Sequence, residues 1–385
     1  MDYLLTEEQQ MVRDICRQVA EEKIMPVAAE YDEKEEFPWD IVKVMAQSDI
    51  CGVYIPEEYG GMGGGILELC IAAEELSRGC AGIGLAFAGT ALGTDPILLY
   101  GNDEQKKKYL PPIASGEKLA AYGITEPAAG SDVSAMQTTA VKDGDHYVLN
   151  GTKHFITNGG EADIYTIVAM TDKSKGTRGA SVFVVEKGTP GFTFGKKESK
   201  LGIRASTTRE LIFSDCRIPK ENLLGREGQG FLIAMRTFDM SRPGIGAQAV
   251  GIAQGAFDAA MQYSTERVQF GKSISSFQGI QFMLADMATQ IEAARALIYS
   301  AARQIDAGVK DITMQSSMAK MFASDVAMKV TTDAVQIFGG YGYIKEYPAE
   351  KYMRDAKITQ IYEGTNQIQR NIIALDLIKK TKKSK

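Results

Sequence analysis

The spacing of apolar residues changes twice along this chain, from a helical repeat to an alternating one and back, and few folds accommodate that order. Thr6 and Gln9 have capping-box spacing, and Met11, Val12, Ile15, Cys16 and Val19 recur at helical intervals until Pro26. Pro38 stands where a first-turn proline belongs before Ile41, Val42 and Met45, and a Gly-rich turn precedes a helical stretch from Ile66 to Arg78. From 121 to 231 short β-branched and aromatic runs alternate with Gly, Asp, Asn and Pro. There, Asn150-Gly151 between Tyr147-Val148-Leu149 and His154-Phe155-Ile156-Thr157 predicts a type I′ hairpin turn. Further strands are expected at Ile164 to Met170, Ala180 to Glu186 and Glu210 to Phe213. After Gly230 the helical repeat returns, through Ile280, Met283, Leu284, Met287, Ile291, Leu297 and Ile298, and predicts long helices packed as a bundle. Met314, Met318, Met321 and Phe322 form a soft apolar stripe that reads as core. The chain is thus α+β, divided into 1–120 (helical), 121–231 (β) and 232–385 (helical).

Composition narrows the chemistry. With 385 residues and a net charge of -6, the chain is large enough for two or three domains and ill suited to nucleic acid. No apolar run suggests a membrane-spanning segment, and Met1 to Gln10 lacks a signal-type stretch, so a cytoplasmic location is expected. The five cysteines form no CxxC pair and read as buried thiols, and His146 and His154 alone give no zinc-ligand spacing, so no metal is expected. The dinucleotide GxGxxG, phosphate-loop GxxxxGK and nucleophile GxSxG signatures are all missing.

Two segments carry more than structure. The first is Tyr122-Gly123-Ile124-Thr125-Glu126-Pro127-Ala128-Ala129-Gly130-Ser131-Asp132, followed by Lys153-His154-Phe155-Ile156-Thr157-Asn158-Gly159-Gly160. Small residues and hydroxyls in loops beside strands let backbone N–H groups approach a planar polar ring. The second comprises Gln336-Ile337-Phe338-Gly339-Gly340-Tyr341-Gly342, Met353-Arg354-Asp355-Ala356, and Ile361-Tyr362-Glu363-Gly364-Thr365-Asn366-Gln367. Thr365 is well placed to cap the last helix, and an acid just before such a turn can point into a cleft.

In this order, the segments resemble the acyl-CoA dehydrogenase family over nearly the whole chain. The resemblance implies an N-terminal α domain, a central β domain, a C-terminal four-helix bundle, an FAD cofactor and a homotetramer built as a dimer of dimers. It places Tyr122, Ile124, Thr125 and Ser131 along the flavin, with Ser131 also near the CoA moiety. Phe155, Ile156 and Thr157 match positions beside the flavin ring, where relatives often carry Trp at the Phe155 site. Arg267, Phe270, Gln278, Gln336, Ile337, Gly339 and Gly340 match FAD contacts that reach into a neighbouring subunit, and Thr365 and Gln367 match contacts at the last helix. Asp239, Arg242, Tyr362 and Gly364 match the acyl-CoA side.

Some relatives carry the catalytic glutamate at the position of Ser241. Serine cannot act as that base, so Glu363 is the expected one. It would take the α-proton of an acyl thioester while the β-hydrogen leaves as hydride, giving a trans-2-enoyl-CoA. Its pKa is expected to rise when substrate excludes water. The implied acceptor of the electrons is electron-transferring flavoprotein. An enoyl-CoA reductase, an acyl-CoA oxidase-like enzyme and an inactive flavin-binding assembly subunit are the alternatives. Ala81 to Ala88 resembles the helix at the far end of the acyl pocket; it carries no charge, and Phe87 would shorten the cavity, which favours a short or medium straight chain.

Overall fold

Thr6 caps the first helix: its hydroxyl accepts from the Gln9 amide, and the Gln9 side chain accepts from the Thr6 amide. The computed structural model describes residues 3–383; Met1 and Asp2, the first positions of the segment read for a targeting signal, lie outside the described residues, as do Ser384 and Lys385. Helix α1 (Glu7–Val19) buries Val12, Cys16 and Val19. Pro26 does not end the helical path. It sits early in a 3-10 turn, where a missing N–H costs nothing, and the chain continues into α2 (Ala28–Lys34). Then come α3 (Trp39–Gln47), α4 (Ile66–Gly79), α5 (Ala81–Tyr100) and α6 (Asp103–Ala114).

Contrary to the expectation of no spanning-length apolar segment, α5 is long and apolar enough to cross a membrane, yet most of it is buried inside the fold. A helix that is apolar all round belongs in a core. Its glycines allow that depth: a Cβ on Gly93 would lie 2.4 Å from the Ala121 amide nitrogen.

The sheet comprises β1 (Ala120–Gly123), β2 (Thr139–Asp143), β3 (His146–Thr157), β4 (Ile164–Met170), β5 (Ala180–Glu186), β6 (Phe192–Lys197), β7 (Thr208–Pro219) and β8 (Leu223–Leu224). Its order is β6-β7-β3-β2-β4-β5-β8, with β1 alongside β4 in parallel. The hairpin expected at Asn150-Gly151 is not there. Strand β3 runs straight through that dipeptide as a bulge against β7, and the two-residue turn is Gly144-Asp145, joining β2 to β3. Asn150 pairs sideways instead, its Oδ1 accepting from the Asp215 amide at 2.8 Å and its Nδ2 donating to the Asp215 carboxylate at 3.1 Å. Side-chain capture by the neighbouring strand outweighs local turn preference.

The remaining helices are α7 (Gly230–Glu266), α8 (Gln278–Asp306), α9 (Thr313–Phe338), α10 (Ala349–Thr359) and α11 (Asn366–Lys383). Helices α4 and α7 nearly touch: a Cβ on Gly251 would fall 2.1 Å from the Glu74 carbonyl oxygen. The methionine stripe is not core. Met314, Met318 and Met321 are half-buried and Phe322 is 37% exposed, because α9 turns its small residues Ser316, Ser317, Ala319, Ala323 and Ser324 inward. Small side chains let the bundle helices approach closely, which leaves the bulky ones outside.

Candidate active site

Helix α10 ends at Thr359, and within six residues the chain reverses into α11. The reversal needs two consecutive left-handed residues, Glu363 (φ 56°) and Gly364 (φ 92°). Glycine suits the second; glutamate at the first is strained, and such strain persists only where surrounding contacts enforce it. Those contacts are in place. Gln369 Nε2 donates to the Glu363 and Gly364 carbonyls, both at 3.0 Å, and Thr365 Oγ1 accepts from the Ile368 amide at 3.3 Å, capping α11 as expected.

The turn aims Glu363 into a cavity of about 250 Å³. One wall is the face of α5 carrying Leu85, Ala88, Gly89 and Leu92; another is Tyr122 on β1 with Ile124, Thr125 and Ser131 after it; Phe155, Ile156 and Thr157 close β3 onto it; Phe238 and Arg242 come from α7. Tyr362 and Gly364 complete it beside Glu363. Thus the residues read from three separate motifs meet in one place. Phe87 does not take part: it faces the opposite side of α5, edge-on to Tyr54 with ring centroids 5.9 Å apart, so it cannot shorten this cavity.

The electrostatics centre on Glu363. Ser241 Oγ donates to its Oε2 at 2.5 Å. Burial pushes the Glu363 carboxyl above the usual carboxylate range without any substrate present, opposed by the Ser241 hydrogen bond and by the charges of Arg242 and Lys320. A second acid missed by the sequence reading, Asp95 on α5, is buried too, and burial followed by the Glu363 charge drives its carboxyl well up. The Tyr122 hydroxyl and the Arg242 Nε are buried with no hydrogen-bond partner among the described residues. Arg242 is otherwise held by Ser317 Oγ at 3.3 Å and by Asp239 Oδ1 at 3.7 Å. Asp239 itself does not line the cavity; its Oδ2 accepts from Thr313 Oγ1 at 2.8 Å at the start of α9, beneath Arg242.

The loop after β1 is fixed from below by a buried ion pair. Lys153 Nζ donates to Glu126 Oε1 at 2.7 Å and to the Ile124 carbonyl at 3.1 Å, while Glu126 accepts from the amides of Gln137 and Thr138 at 2.5 and 2.9 Å. Both residues stand in the quoted motifs, but a lysine followed by an alternating strand gave no sign that it points inward. Phe155 behaves oppositely: at φ 56°, in a bulge of β3, its ring is 61% exposed at the rim of the cavity.

The remaining candidates lie elsewhere on the chain. Arg267, Ile337, Gly339 and Gly340 line a separate open cleft of about 410 Å³. Arg267 stacks over Tyr341 at 5.3 Å, and among the described residues no carboxylate pairs with it. A Cβ on Gly339 or Gly340 would meet nothing within 4 Å. Phe270 is 92% exposed, and Gln278 and Gln336 are exposed; none of the three lines either cavity. Thr365 is half-buried and Gln367 is exposed at the start of α11, neither lining the first cavity.

A carboxylate of raised proton affinity in an apolar-walled cavity is equipped to act as a general base. Family models for acyl-CoA dehydrogenase match the chain in three parts: the N-terminal domain at residues 6–117, the middle domain at 121–216 and the C-terminal domain at 228–378. The chain is 54% identical to the short-chain specific acyl-CoA dehydrogenase of Clostridium acetobutylicum, over 97% of this chain and 99% of that one. Butyryl-CoA dehydrogenase from Megasphaera elsdenii superposes with a TM-score of 0.96 at 50% identity, covering 98% of this chain and all of that one. A chain solved in work on the electron transferring flavoprotein of Acidaminococcus fermentans and flavin-based electron bifurcation gives a TM-score of 0.96 at 56% identity, covering 98% and 99%.

Proposed function

Because this chain belongs to the acyl-CoA dehydrogenase family, whose members are FAD-dependent oxidoreductases, we propose that it dehydrogenates a short straight-chain acyl-CoA to the trans-2-enoyl-CoA, with Glu363 as base. The observation that carries this reading is the aim of Glu363: a carboxylate with raised proton affinity, on a strained turn, facing Tyr122, Thr125 and Thr157 across one cavity.

The residues present fit FAD. The unpartnered Tyr122 hydroxyl, the exposed Phe155 ring and the Thr125 and Thr157 hydroxyls suit the edge of a flavin, and Arg267 beside the open Gly339-Gly340 backbone suits a diphosphate. When bound, FAD supplies the acceptor for the β-hydrogen. Glu363 takes the α-proton on Oε1 or Oε2, and the apolar residues around it keep water from competing for that proton. Arg242, with a free Nε and, among the described residues, no ion pair closer than 3.7 Å, is placed to meet the polar part of the thioester.

Some residues matched to FAD line the Glu363 cavity and others, Arg267, Ile337, Gly339 and Gly340, a separate cleft; that separation supports a dimer as the smallest complete unit and, with Phe270 and Tyr343 (83%) exposed, the homotetramer implied by the resemblance. Short chain length is supported by the name of the Clostridium relative and by the butyryl-CoA dehydrogenase match; electron-transferring flavoprotein as acceptor is supported by the Acidaminococcus match. The division at 1–120, 121–231 and 232–385 and the cytoplasmic location belong to the same proposal; the switch to strand at Ala120 and back to helix at Gly230 supports the first, and the burial of α5 the second. The test is an anaerobic visible titration of the purified protein with acyl-CoA esters of increasing length. Bleaching of a yellow flavin by butyryl-CoA at lowest concentration is the expected result. A preference for long or dicarboxylic acyl groups would overturn the substrate assignment, and no bleaching by any ester would overturn the activity.

A further inference from the structure

Lys320, on α9, has no exposed surface, and its Nζ donates to the Gly364 carbonyl at 2.8 Å and to Asn366 Oδ1 at 2.9 Å. Neither acceptor is a carboxylate. A lysine rarely stays fully buried without an anion nearby, because removing an ammonium from water is costly unless it is compensated. The charged groups facing Lys320 are Glu363 in the turn, Arg242 on α7 and Asp325 on α9 itself. Asp325 is already engaged, by Arg370 Nη2, Gln360 Nε2 and Asn366 Nδ2, each at 2.7 Å. Among the described residues, the Glu363 carboxylate accepts a hydrogen bond from the Ser241 hydroxyl alone.

We propose that Lys320 is a positioning residue for the base: from behind the turn its ammonium clamps the Gly364 carbonyl, next to Glu363, and sets a positive charge beside the carboxylate. The inference rests on Glu363 being the base. Clamp and charge are separable, since an uncharged amine could still donate to both acceptors. Burial pulls Lys320 down to about 7, against the upward pull of Glu363 and Asp325, with Arg242 adding to the fall. The lysine therefore sits where the charge of Glu363 helps to decide its own.

The experiment compares the pH dependence of kcat/KM for butyryl-CoA in holoenzyme carrying Lys320→Met, Lys320→Gln or Lys320→Arg. The neutral variants are expected to shift the acid limb up by about one pH unit and to lose roughly tenfold in kcat at neutral pH, with KM little changed. Lys320→Arg is expected to keep the wild-type limb. A role confined to packing would lower stability but leave the limb in place, and an unmoved limb in both neutral variants overturns the proposal. If neither neutral variant folds while Lys320→Arg does, the charge serves folding and the proposal fails as well. Glu363→Gln, measured alongside, keeps the two readings apart: retained turnover there refutes Glu363 as base, whereas inactive Glu363→Gln with an unmoved limb refutes only the role of Lys320.

Discussion

Ser241 and Glu363 are separated by 122 residues in sequence and by 2.5 Å in space, hydroxyl to carboxylate. By the resemblance, the serine stands where some relatives keep their base; in this chain it donates to Glu363, the proposed base. A donor to the ionised form lowers that form's pKa, so the bond opposes the upward push of burial.

Replacing Ser241 with Ala removes this donor. The Glu363 pKa should rise further, moving the acid limb of kcat/KM to higher pH by about one to two units, since a hydrogen bond to a charged group contributes about 1.5–3 kcal/mol. A pH profile checks both sign and size; a shift to lower pH would contradict the role given to the hydroxyl.

Gly364→Ala tests the turn. At φ 92° an added Cβ would lie 2.8 Å from Gln369 Nε2, the group that fixes the Glu363 carbonyl. Strain of roughly 1–3 kcal/mol is expected. Thermal unfolding should show a lower Tm, and kcat should fall more than that loss alone explains, because the base is displaced along with the turn.

Lys153→Met should be more damaging to stability than most single changes. It strands Glu126 beneath the cavity loop, and breaking a buried pair costs about 3–5 kcal/mol. The double variant with Glu126→Gln should recover part of the loss, which chemical denaturation of both proteins will measure. Recovery is expected because the remaining groups are neutral.

Arg267→Ala addresses the second cleft. Without the guanidinium, retention of FAD should weaken by roughly ten- to a hundredfold, the scale of one charge-assisted phosphate contact. Enzyme saturated with FAD should keep most of its kcat, since Arg267 suits the diphosphate rather than the reacting groups beside Glu363. Cofactor titration by fluorescence separates the two effects, and unchanged affinity would remove Arg267 from the binding set.

Much of this was legible in particular residues. The Thr6 cap, the strands Ile164–Met170 and Ala180–Glu186, and the capping threonine before α11 follow from short-range signals, because capping and alternation are decided within a few residues. The Asn150-Gly151 turn failed for the converse reason: its neighbour β7, far along the chain, supplied a better partner for Asn150 than a turn would. The methionine stripe failed because a helical repeat shows that a face exists without showing whether it points inward; the smaller residues of α9 took the core.

By itself the sequence determined the order of helical and sheet regions, since local periodicity needs no knowledge of partners, while the acid at 363 and the loops around it stand out through the resemblance their motifs carry. Only the tertiary structure decided that Ser241 and Lys320 meet the turn that carries that acid, that Lys153 underpins the loop, that Phe87 faces away, and that Arg267, Ile337, Gly339 and Gly340 line a separate cleft. These are contacts between distant segments, fixed by how helices and strands pack rather than by the residues beside them in the chain.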